Sequence, residues 1–236
     1  IVNIKTGKII GTEALVRWNH AKKGVLTPFH FIDIIEDSRM NVKFGELVFK
    51  KVLSDMQTIN SALNDNAFRV SINISAKHFF ESKFIQTIVG FCKDFSIEPS
   101  QIELELLETH IMKNSTISQT KLEKLHDLGF MVAIDDFGTG YSSLSYLKNF
   151  KVDKLKIDQS FIRDFVDDKS DKAIVEAIIK LSETFGMKAQ AEGVETKEHL
   201  SLLKTMGCDL AQGYYYNKPM PLNEFLNFTQ KVNDEK

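Results

Sequence analysis

The stretch MVAIDDFGTG, Met131 to Gly140, decides the fold prediction, because an apolar strand leads directly into two carboxylates and a glycine turn. Asp135 and Asp136 are adjacent acids at the end of a strand that is expected to be buried, where they repel each other and lose solvation. Such a pair usually holds a cation. Since Asp and Gly are also common turn and cap residues, a solvated turn or a helix cap is the alternative interpretation.

Strand and helix patterns alternate on both sides of this stretch. The predicted strands are FRVSINIS, IELELLE, MVAIDD, VDKLKID, MKAQAEGVE and DLAQGYYY. Helices are predicted after Thr27-Pro28 and over residues 44–63, 84–95, 118–129, 142–150, 170–185 and 197–207. This alternation favours right-handed crossovers and a parallel sheet.

The start of the chain differs, because IVNIKTGKIIGTEALVRW predicts an antiparallel hairpin around a tight turn at residues 5–8. With this hairpin the strand count reaches eight, which favours a closed α/β barrel. The chain has 236 residues, of which 43% are hydrophobic and 26% charged, and no Pro-, Gly- or Ser-rich linker divides it. One such barrel takes roughly 250 residues. We therefore expect residues 1–236 to form a single domain.

Charge and cysteine content exclude several classes of function. The chain has 30 basic and 32 acidic residues, and only four of the basic ones are arginine, so it lacks the excess of positive charge that is typical of nucleic-acid-binding proteins. Cys92 and Cys208 form no C-x-x-C pair, which favours a reducing compartment such as the cytoplasm and disfavours a thiolate zinc site. Apolar runs are shorter than the ~18 residues that span a membrane, so no membrane contact is expected in this segment. The start at Ile1, without Met, suggests a fragment of a longer protein, which could itself be membrane-anchored.

Polar residues stand at the predicted strand ends, at intervals of about one βα unit. Parallel strands bring their carboxyl ends to one rim of a barrel, where active sites lie. A ring of acids favours a site over a solvated turn. The residues expected at this rim are Glu13, Asn73, Glu105, Asp135, Asp136, Lys156, Glu192 and Gln212.

The ring offers five carboxylates and one amide oxygen, which are hard ligands suited to Mg²⁺ or Mn²⁺ rather than zinc or copper. The six histidines form no H-x-x-x-H arrangement and are interpreted as surface or structural residues. Five negative charges exceed what one divalent ion balances. Two ions about 4 Å apart are therefore expected, as in enzymes that catalyse in-line attack on phosphorus.

Other side chains of the ring leave two interpretations open. Lys156 either neutralises the acids or orients and deprotonates an attacking water. Arg17 follows Glu13 by four residues and is expected on the same strand face, where it would bind a phosphate oxygen unless it forms an exposed surface pair. The rings of the run Tyr214 to Tyr216 could stack on a base, while at least one of them could pack in the core.

Seven segments carry a family resemblance: GTEALVRW, SINIS, LELLE, DDFGTGYSSL, LKID, AEGVE and QGYYYNKP. They occur in the order and spacing of the EAL-domain cyclic di-GMP phosphodiesterases, and the sequence resembles this family over essentially its whole length. The resemblance implies a modified TIM-like β/α barrel with an antiparallel first strand, in agreement with the hairpin. It also implies Mg²⁺- or Mn²⁺-dependent hydrolysis of cyclic di-GMP to linear pGpG in bacterial signalling, often as a homodimer with sensory or diguanylate cyclase domains in the same chain.

The resemblance further implies roles for individual residues. Lys156 matches the catalytic lysine, and Glu13 and Glu192 are expected to share in catalysis. The metal-ligand positions are Glu13, Asn73, Glu105, Asp135, Asp136 and Glu192. The predicted substrate contacts are Arg17, Asp158, Gln212 and Tyr214. Glu108 is expected to brace the loop after Asp136, which contains Gly138, and Glu195 matches a second glutamate of the site.

The family normally carries a Tyr-Gln-Pro segment, and a helix before it, ahead of the position of Ile1. We therefore expect an N-terminally truncated barrel with a short first strand and without one substrate contact. Substrate binding or dimerisation should be weakened, whereas the metal ligands are unaffected.

Two other functions fit part of the sequence. A non-catalytic cyclic di-GMP receptor or signalling scaffold would share the resemblance, but such proteins typically lose metal ligands or the DDFGTG loop, which are present here. A barrel enzyme that stabilises an enolate with Mg²⁺ and a lysine base would also need an acidic rim. The position of Arg17 and the seven motifs in register favour the phosphodiesterase.

Overall fold

The computed structural model describes residues 1–140 and 144–234. Its central sheet has eight strands in the spatial order β1 (Val2–Asn3), β10 (Leu210–Ala211), β9 (Lys188–Ala191), β8 (Lys154–Ile157), β7 (Met131–Phe137), β6 (Ile102–Leu107), β5 (Arg69–Asn73) and β2 (Gly11–Ala14). β1 runs antiparallel to β10, and every other neighbouring pair is parallel.

The N-terminal hairpin nearly closes this sheet into a barrel. The two edges approach each other through an antiparallel bridge between Val2 and Ile9, and the Ile10 N–H donates to the Ile1 carbonyl at 3.0 Å. The hairpin turn is secured by the Asn3 N–H, which donates to the Lys8 carbonyl at 2.9 Å. The predicted β/α barrel with an antiparallel first strand is therefore confirmed.

Helices connect the parallel strands, as the sequence pattern predicts. Their bounds are α1 (Ile32–Asp37), α2 (Asn41–Leu63), α3 (Ala76–Phe80), α4 (Phe84–Phe95), α5 (Glu108–Lys113), α6 (Ser115–Asp127), α7 (Leu144–Leu147), α8 (Gln159–Asp164), α9 (Lys169–Thr184), α10 (Lys197–Met206) and α11 (Leu222–Asp234). The prolines of Pro28–His30 and Pro99–Gln101 open short 3₁₀ turns. Of the helix predicted over 142–150, Ser142 and Ser143 lie outside the described residues.

Local sequence explains where the longer helices begin and end. Asp168 precedes α9 and accepts hydrogen bonds from the backbone N–H groups of Ser170 and Asp171, at 2.6 and 3.1 Å. Gly207 ends α10 with a φ of 83°, a left-handed conformation that favours glycine. The predicted α2, α4, α6, α9 and α10 agree with the structure to within three residues at each end.

Two predicted strands are shorter than expected. The strand of GTEALVRW ends at Ala14, which pairs with Ile72 of β5. Because β5 itself ends at the next residue, Asn73, the residues after Ala14 have no strand to pair with. Trp18–His20 (β3) instead pairs with Gly24–Leu26 (β4) in a separate antiparallel hairpin. The strand of DLAQGYYY ends at Ala211, after which the Tyr216 N–H turns back to the Gly213 carbonyl at 3.1 Å.

The two faces of the barrel strands have opposite character. Apolar side chains such as Ile72, Leu104, Ile134 and Leu155 are at most 1% exposed and belong to the hydrophobic core. The alternate side chains contain charged and amide groups that meet one another across the barrel, in place of the branched apolar residues that fill most barrels of this type. Among the described residues, no helix combines the length and apolar character needed to cross a membrane.

Candidate active site

Lys156 lies at the centre of the rim, on β8, with 1% of its surface exposed. Its Nζ atom is 2.7 Å from Glu192 Oε1, 2.9 Å from Glu105 Oε2 and 2.9 Å from Asp135 Oδ1. Glu13 Oε2 lies further away, at 3.9 Å. Carboxylates from the ends of four other strands thus surround one ammonium group.

The charge of Lys156 follows from this environment. Burial alone would lower the pKa of Lys156, but the surrounding carboxylates, Glu105 and Glu192 foremost, outweigh it and raise the pKa well above the usual lysine value. Lys156 is therefore a cation at neutral pH and can only donate hydrogen bonds.

Glu13 is held at both of its carboxylate oxygens. Asn73 Nδ2 donates to Oε1 at 2.7 Å, and Gln212 Nε2 donates to Oε2 at 2.6 Å. Burial would raise the pKa of Glu13, but Lys156 and the two amide donors outweigh burial and lower it below the usual glutamate value. Glu13 is consequently an ionised, oriented carboxylate.

Asp135 and Asp136 reach the same side of β7 because this strand is irregular. In a regular strand, successive side chains point to opposite faces. Here the pairing with β8 shifts register between Ile134 and Phe137, and Asp136 has a φ of 52°, in the left-handed region. One carboxylate oxygen each of Asp135, Asp136 and Glu192 therefore lie within 4.8 Å of one another.

These acids carry raised pKa values. Burial, and then the charges of Asp135 and Glu13, raise the pKa of Glu192 to about 7 despite the opposing effect of Lys156. Burial and the neighbouring charge of Asp135 raise the pKa of Asp136 to about 6. Burial also raises the pKa of Glu105, whose Oε2 contacts the Lys156 ammonium and whose Oε1 has no hydrogen-bond donor in the described part of the chain.

This donor set fits divalent cations. When all five carboxylates are ionised, Lys156 leaves four negative charges unbalanced, which two divalent ions would neutralise. Oε1 of Glu105 is buried without a hydrogen-bond donor among the described residues, as expected for an atom that awaits a metal. Carboxylate and amide oxygens are the ligands that Mg²⁺ and Mn²⁺ prefer.

The loop after Asp136 contacts a buried glutamate. Glu108, at the first position of α5, is 2% exposed, and its Oε2 accepts a hydrogen bond from the Gly138 N–H at 3.0 Å. Gly138 has a φ of 99°, and a Cβ atom there would lie 3.1 Å from the Phe161 ring. Glycine is thus required at this position, and the structure places Glu108 where the predicted brace would act.

The family of this chain is identified by its similarity to known proteins. The family profile described as EAL domain matches residues 1–219. The chain belongs to the EAL domain family.

Several relatives of this EAL domain have named activities. MucR of Pseudomonas aeruginosa, a bifunctional diguanylate cyclase/cyclic di-GMP phosphodiesterase, is 37% identical over 221 residues, which are 93% of this chain and 32% of MucR. The cyclic di-GMP phosphodiesterase NbdA of the same organism is 35% identical over 96% of this chain and 29% of NbdA. This EAL domain therefore spans about a third of the length of these curated relatives.

Solved structures show the same fold. The PaMucR phosphodiesterase in its c-di-GMP complex is 36% identical, with a TM-score of 0.91 over 95% of this chain and 90% of that one. An EAL domain protein from Listeria monocytogenes is 33% identical, with a TM-score of 0.80 over 99% of this chain and 90% of that one.

Two of the predicted substrate contacts of the EAL domain lie outside the cluster around Lys156. Arg17 was expected on the strand face of Glu13, but this expectation is wrong because β2 ends at Ala14. The exposed guanidinium of Arg17 donates a hydrogen bond to the Val16 carbonyl at 2.9 Å. Tyr214 is 56% exposed, and Lys218 Nζ lies 5.4 Å from its ring centroid. Their contacts with a phosphate and a base stay predictions.

The remaining predicted residues lie at the edge of the site. Asp158 precedes α8, where it accepts a hydrogen bond from the Ser160 N–H at 2.9 Å, and its carboxyl group interacts with that of Asp136. The Glu195 side chain is exposed, and its backbone N–H lies 3.5 Å from His199 Nδ1. The structure therefore does not bring Glu195 to the ammonium of Lys156, and its role stays a prediction.

Sequence reasoning missed a second polar layer inside the barrel. Its members each stand two residues before a rim residue and therefore share its strand face. They are Ser71, Glu103, Lys154 and Gln190. Because residues two apart in a strand lie on the same face, the positions two residues before the predicted ring could have been recognised as a second layer.

Proposed function

We propose that this EAL domain is a phosphodiesterase that hydrolyses cyclic di-GMP to linear pGpG with two divalent ions, Mg²⁺ or Mn²⁺. The observation that carries the proposal is the convergence of four carboxylates on Lys156 at the C-terminal rim of the barrel, with the carboxylate of Asp136 next to two of them. The phosphodiesterase activity of named relatives supports the substrate class.

The geometry supports the proposed ligand roles. Asp135, Asp136 and Glu192 approach one another closely enough to share a cation, and Glu105 offers a buried Oε1 that lacks a donor in the described part of the chain. Glu13 and Asn73 complete the proposed set. When bound, divalent ions polarise the phosphate and lower the pKa of water.

The side chains of the EAL domain would perform the remaining tasks. Because Lys156 is held as a cation, we expect it to orient the attacking water by donating a hydrogen bond and not to remove its proton. Attack forms a bond from the water oxygen to phosphorus and breaks the bond to the ribose 3′ oxygen, while the water gives up a proton and the departing 3′ oxygen takes one up. Arg17, Asp158, Gln212 and Tyr214 are the proposed contacts to the rest of the substrate.

One assay tests this function. The domain is incubated with cyclic di-GMP in the presence of Mg²⁺, Mn²⁺ or EDTA, and the products are separated by chromatography. We expect pGpG in both metal-containing samples and none with EDTA. Binding of cyclic di-GMP without pGpG in any sample would indicate a receptor or scaffold and overturn the proposal.

We further propose that residues 1–236 act as one catalytic domain of a longer cytoplasmic signalling protein and that this domain forms homodimers. The bifunctional name of MucR, of which this chain spans a third, supports additional domains. Sedimentation of the isolated domain at micromolar concentration tests dimerisation.

Removal of the loop contact should lower activity without removing a metal ligand. In Glu108→Ala the Gly138 N–H loses its acceptor, and we expect turnover to fall about tenfold or more, in the range seen when groups that support a metal site are removed. Mn²⁺ affinity, measured by calorimetry, should stay close to the wild-type value. Glu108→Gln keeps an acceptor oxygen and should retain most activity. An unaffected rate in Glu108→Ala would mean that this loop has no part in turnover.

Metal affinity should fall steeply as the pH is lowered. Metal binding requires ionised carboxylates, and the pKa values of Glu192 and Asp136 are raised to about 7 and about 6. Between pH 7.5 and 5.5, proton competition at these two groups should raise the Kd for Mn²⁺ by about a hundredfold.

Stability of the metal-free domain should change in the opposite direction. A raised carboxyl pKa means that the folded chain keeps a proton that the unfolded chain has released, so metal-free stability falls as the pH rises through this window. Calorimetric titrations and melting curves at several pH values check both trends. A Kd independent of pH would contradict the assignment of Glu192 and Asp136 as ligands.

A further inference from the structure

A chain of hydrogen bonds crosses the interior of the barrel and ends at the rim. Lys154 Nζ donates to Gln190 Oε1 at 2.9 Å, and Gln190 Nε2 donates to Gln212 Oε1 at 3.4 Å. Gln212 Nε2 then donates to Glu13 Oε2 at 2.6 Å. We call these four side chains the amide relay. Lys154 is 6% exposed and Gln190 is fully buried, so water does not substitute for its inner members.

The first member sets the direction of every hydrogen bond in the amide relay. A lysine ammonium is a donor only, whereas a glutamine amide carries both a donor and an acceptor. Gln190 must therefore present its oxygen to Lys154, which leaves its nitrogen for Gln212. Gln212 in turn presents its oxygen to Gln190 and its nitrogen to Glu13. The orientation of both amides follows from their partners and not from their shape.

Lys154 is itself anchored by a second buried partner. Its Nζ lies 2.7 Å from Glu103 Oε1, and Ser71 Oγ donates to the same oxygen at 2.7 Å. Glu103 is 2% exposed, so this is a buried ion pair. The pair holds the Lys154 ammonium in place beside Gln190, which stabilises the direction of the amide relay.

We propose that Gln190 is a positioning residue for Glu13, because it fixes the amide of Gln212 with its donor towards that carboxylate. The proposal rests on the proposed function, in which Glu13 is a metal ligand. A reversed Gln212 would point an oxygen at Glu13 and displace the carboxylate from its ligand position. Groups that orient ligands typically change metal affinity by about 10- to 100-fold when they are altered.

Two substitutions at position 190 separate direction from packing. In Gln190→Glu at pH 8, the introduced carboxylate beside Lys154 accepts hydrogen bonds only, so Gln212 must turn its nitrogen towards position 190 and its oxygen towards Glu13. In Gln190→Leu, the contact is lost but Gln212 remains free to donate to Glu13. We expect the Kd for Mn²⁺ to rise about tenfold or more in Gln190→Glu and to stay within about threefold in Gln190→Leu.

Two simpler explanations predict a different order of the Kd values of these variants. An added negative charge near a cation site strengthens cation binding, so weaker Mn²⁺ binding by Gln190→Glu is not a charge effect. A residue that only fills space would make the two variants similar. Equal Kd values for both variants, or tighter binding by Gln190→Glu, would overturn the proposal.

The measurement includes controls for folding and for the proposed function. Gln101→Glu places a carboxylate at another buried glutamine, which bonds Asn60 and lies outside the amide relay, and should leave the Kd unchanged. If Gln190→Glu does not fold, the charge-swapped double variant Lys154→Glu/Glu103→Lys places an acceptor beside Gln190, which reverses the amide of Gln190 and with it that of Gln212. Its Kd should rise by about tenfold, and a wild-type Kd would overturn the proposal. Failure of the wild-type domain to bind Mn²⁺ would instead refute the proposed function.

Discussion

Replacement of Asp135 by asparagine is expected to lower the turnover of cyclic di-GMP by about a thousandfold. Asp135 contacts Lys156 at 2.9 Å and shares the proposed cation position with Asp136 and Glu192. Asparagine keeps the shape but removes the charge that holds the ion. A bound metal supplies several kcal/mol of transition-state stabilisation, and each step of about 1.4 kcal/mol is a factor of ten in rate.

A matched control for this variant lies directly before the neighbouring strand β8, at the end of the barrel away from the rim. Asp153→Asn alters a half-buried acid that accepts a hydrogen bond from the Val132 N–H at 2.8 Å, far along β7 from the rim. This variant should keep most of its activity, whereas Asp135→Asn should also bind Mn²⁺ at least about tenfold more weakly. If Asp135→Asn retains more than about five per cent of wild-type turnover, the two-metal account is wrong.

Replacement of Lys156 by methionine should separate its structural role from its chemical one. Without the ammonium, four buried carboxylates face one another, and loss of one partner of a buried pair typically costs about 3–5 kcal/mol. For a chain of this length that corresponds to a Tm lower by at least about 6 °C in EDTA at pH 8. Mn²⁺ supplies the missing positive charge, so it should restore much of the Tm. Turnover should nevertheless stay at least about a hundredfold below wild type, because no donor orients the water.

The outcomes of the Lys156→Met experiment distinguish the two interpretations of this lysine. Full activity in Mn²⁺ would show that Lys156 only neutralises the acids. A Tm that Mn²⁺ does not raise would argue against a metal site in this cluster. Lys188→Met, which removes an exposed pair with Asp209, is the control and should change the Tm by no more than about 2 °C.

Much of the fold could be predicted because its signals are local and repeated. The alternation of apolar strands with amphipathic segments predicts parallel βα units, and the tight turn around Gly7 predicts the hairpin that nearly closes the barrel. Arg17 shows the limit of this reasoning. Period two holds only while a strand has a neighbour to pair with, and the end of β5 near Asn73 removes that neighbour after Ala14.

Most of the candidate site could also be predicted, since strand order places Glu13, Glu105, Asp135, Lys156 and Glu192 at one rim. Their charge states could not. Burial favours a raised pKa for both Glu192 and Glu13, and the pKa of Glu192 is indeed raised. The pKa of Glu13 is lowered instead, because Glu13 also accepts hydrogen bonds from Asn73 and Gln212. Such differences depend on which donors approach across the barrel, and no spacing in the sequence encodes them.

The sequence by itself determined the barrel topology, the family and the ring of oxygen ligands, because periodicity and strand order are properties of the chain. Only the tertiary structure decided how the ring is assembled. The register shift in β7 and the left-handed backbone of Asp136 turn two adjacent acids to one side, where a regular strand would separate them. The direction of the amide relay likewise depends on contacts between strands that lie far apart in the chain, and it is fixed where Lys154, a donor only, meets Gln190.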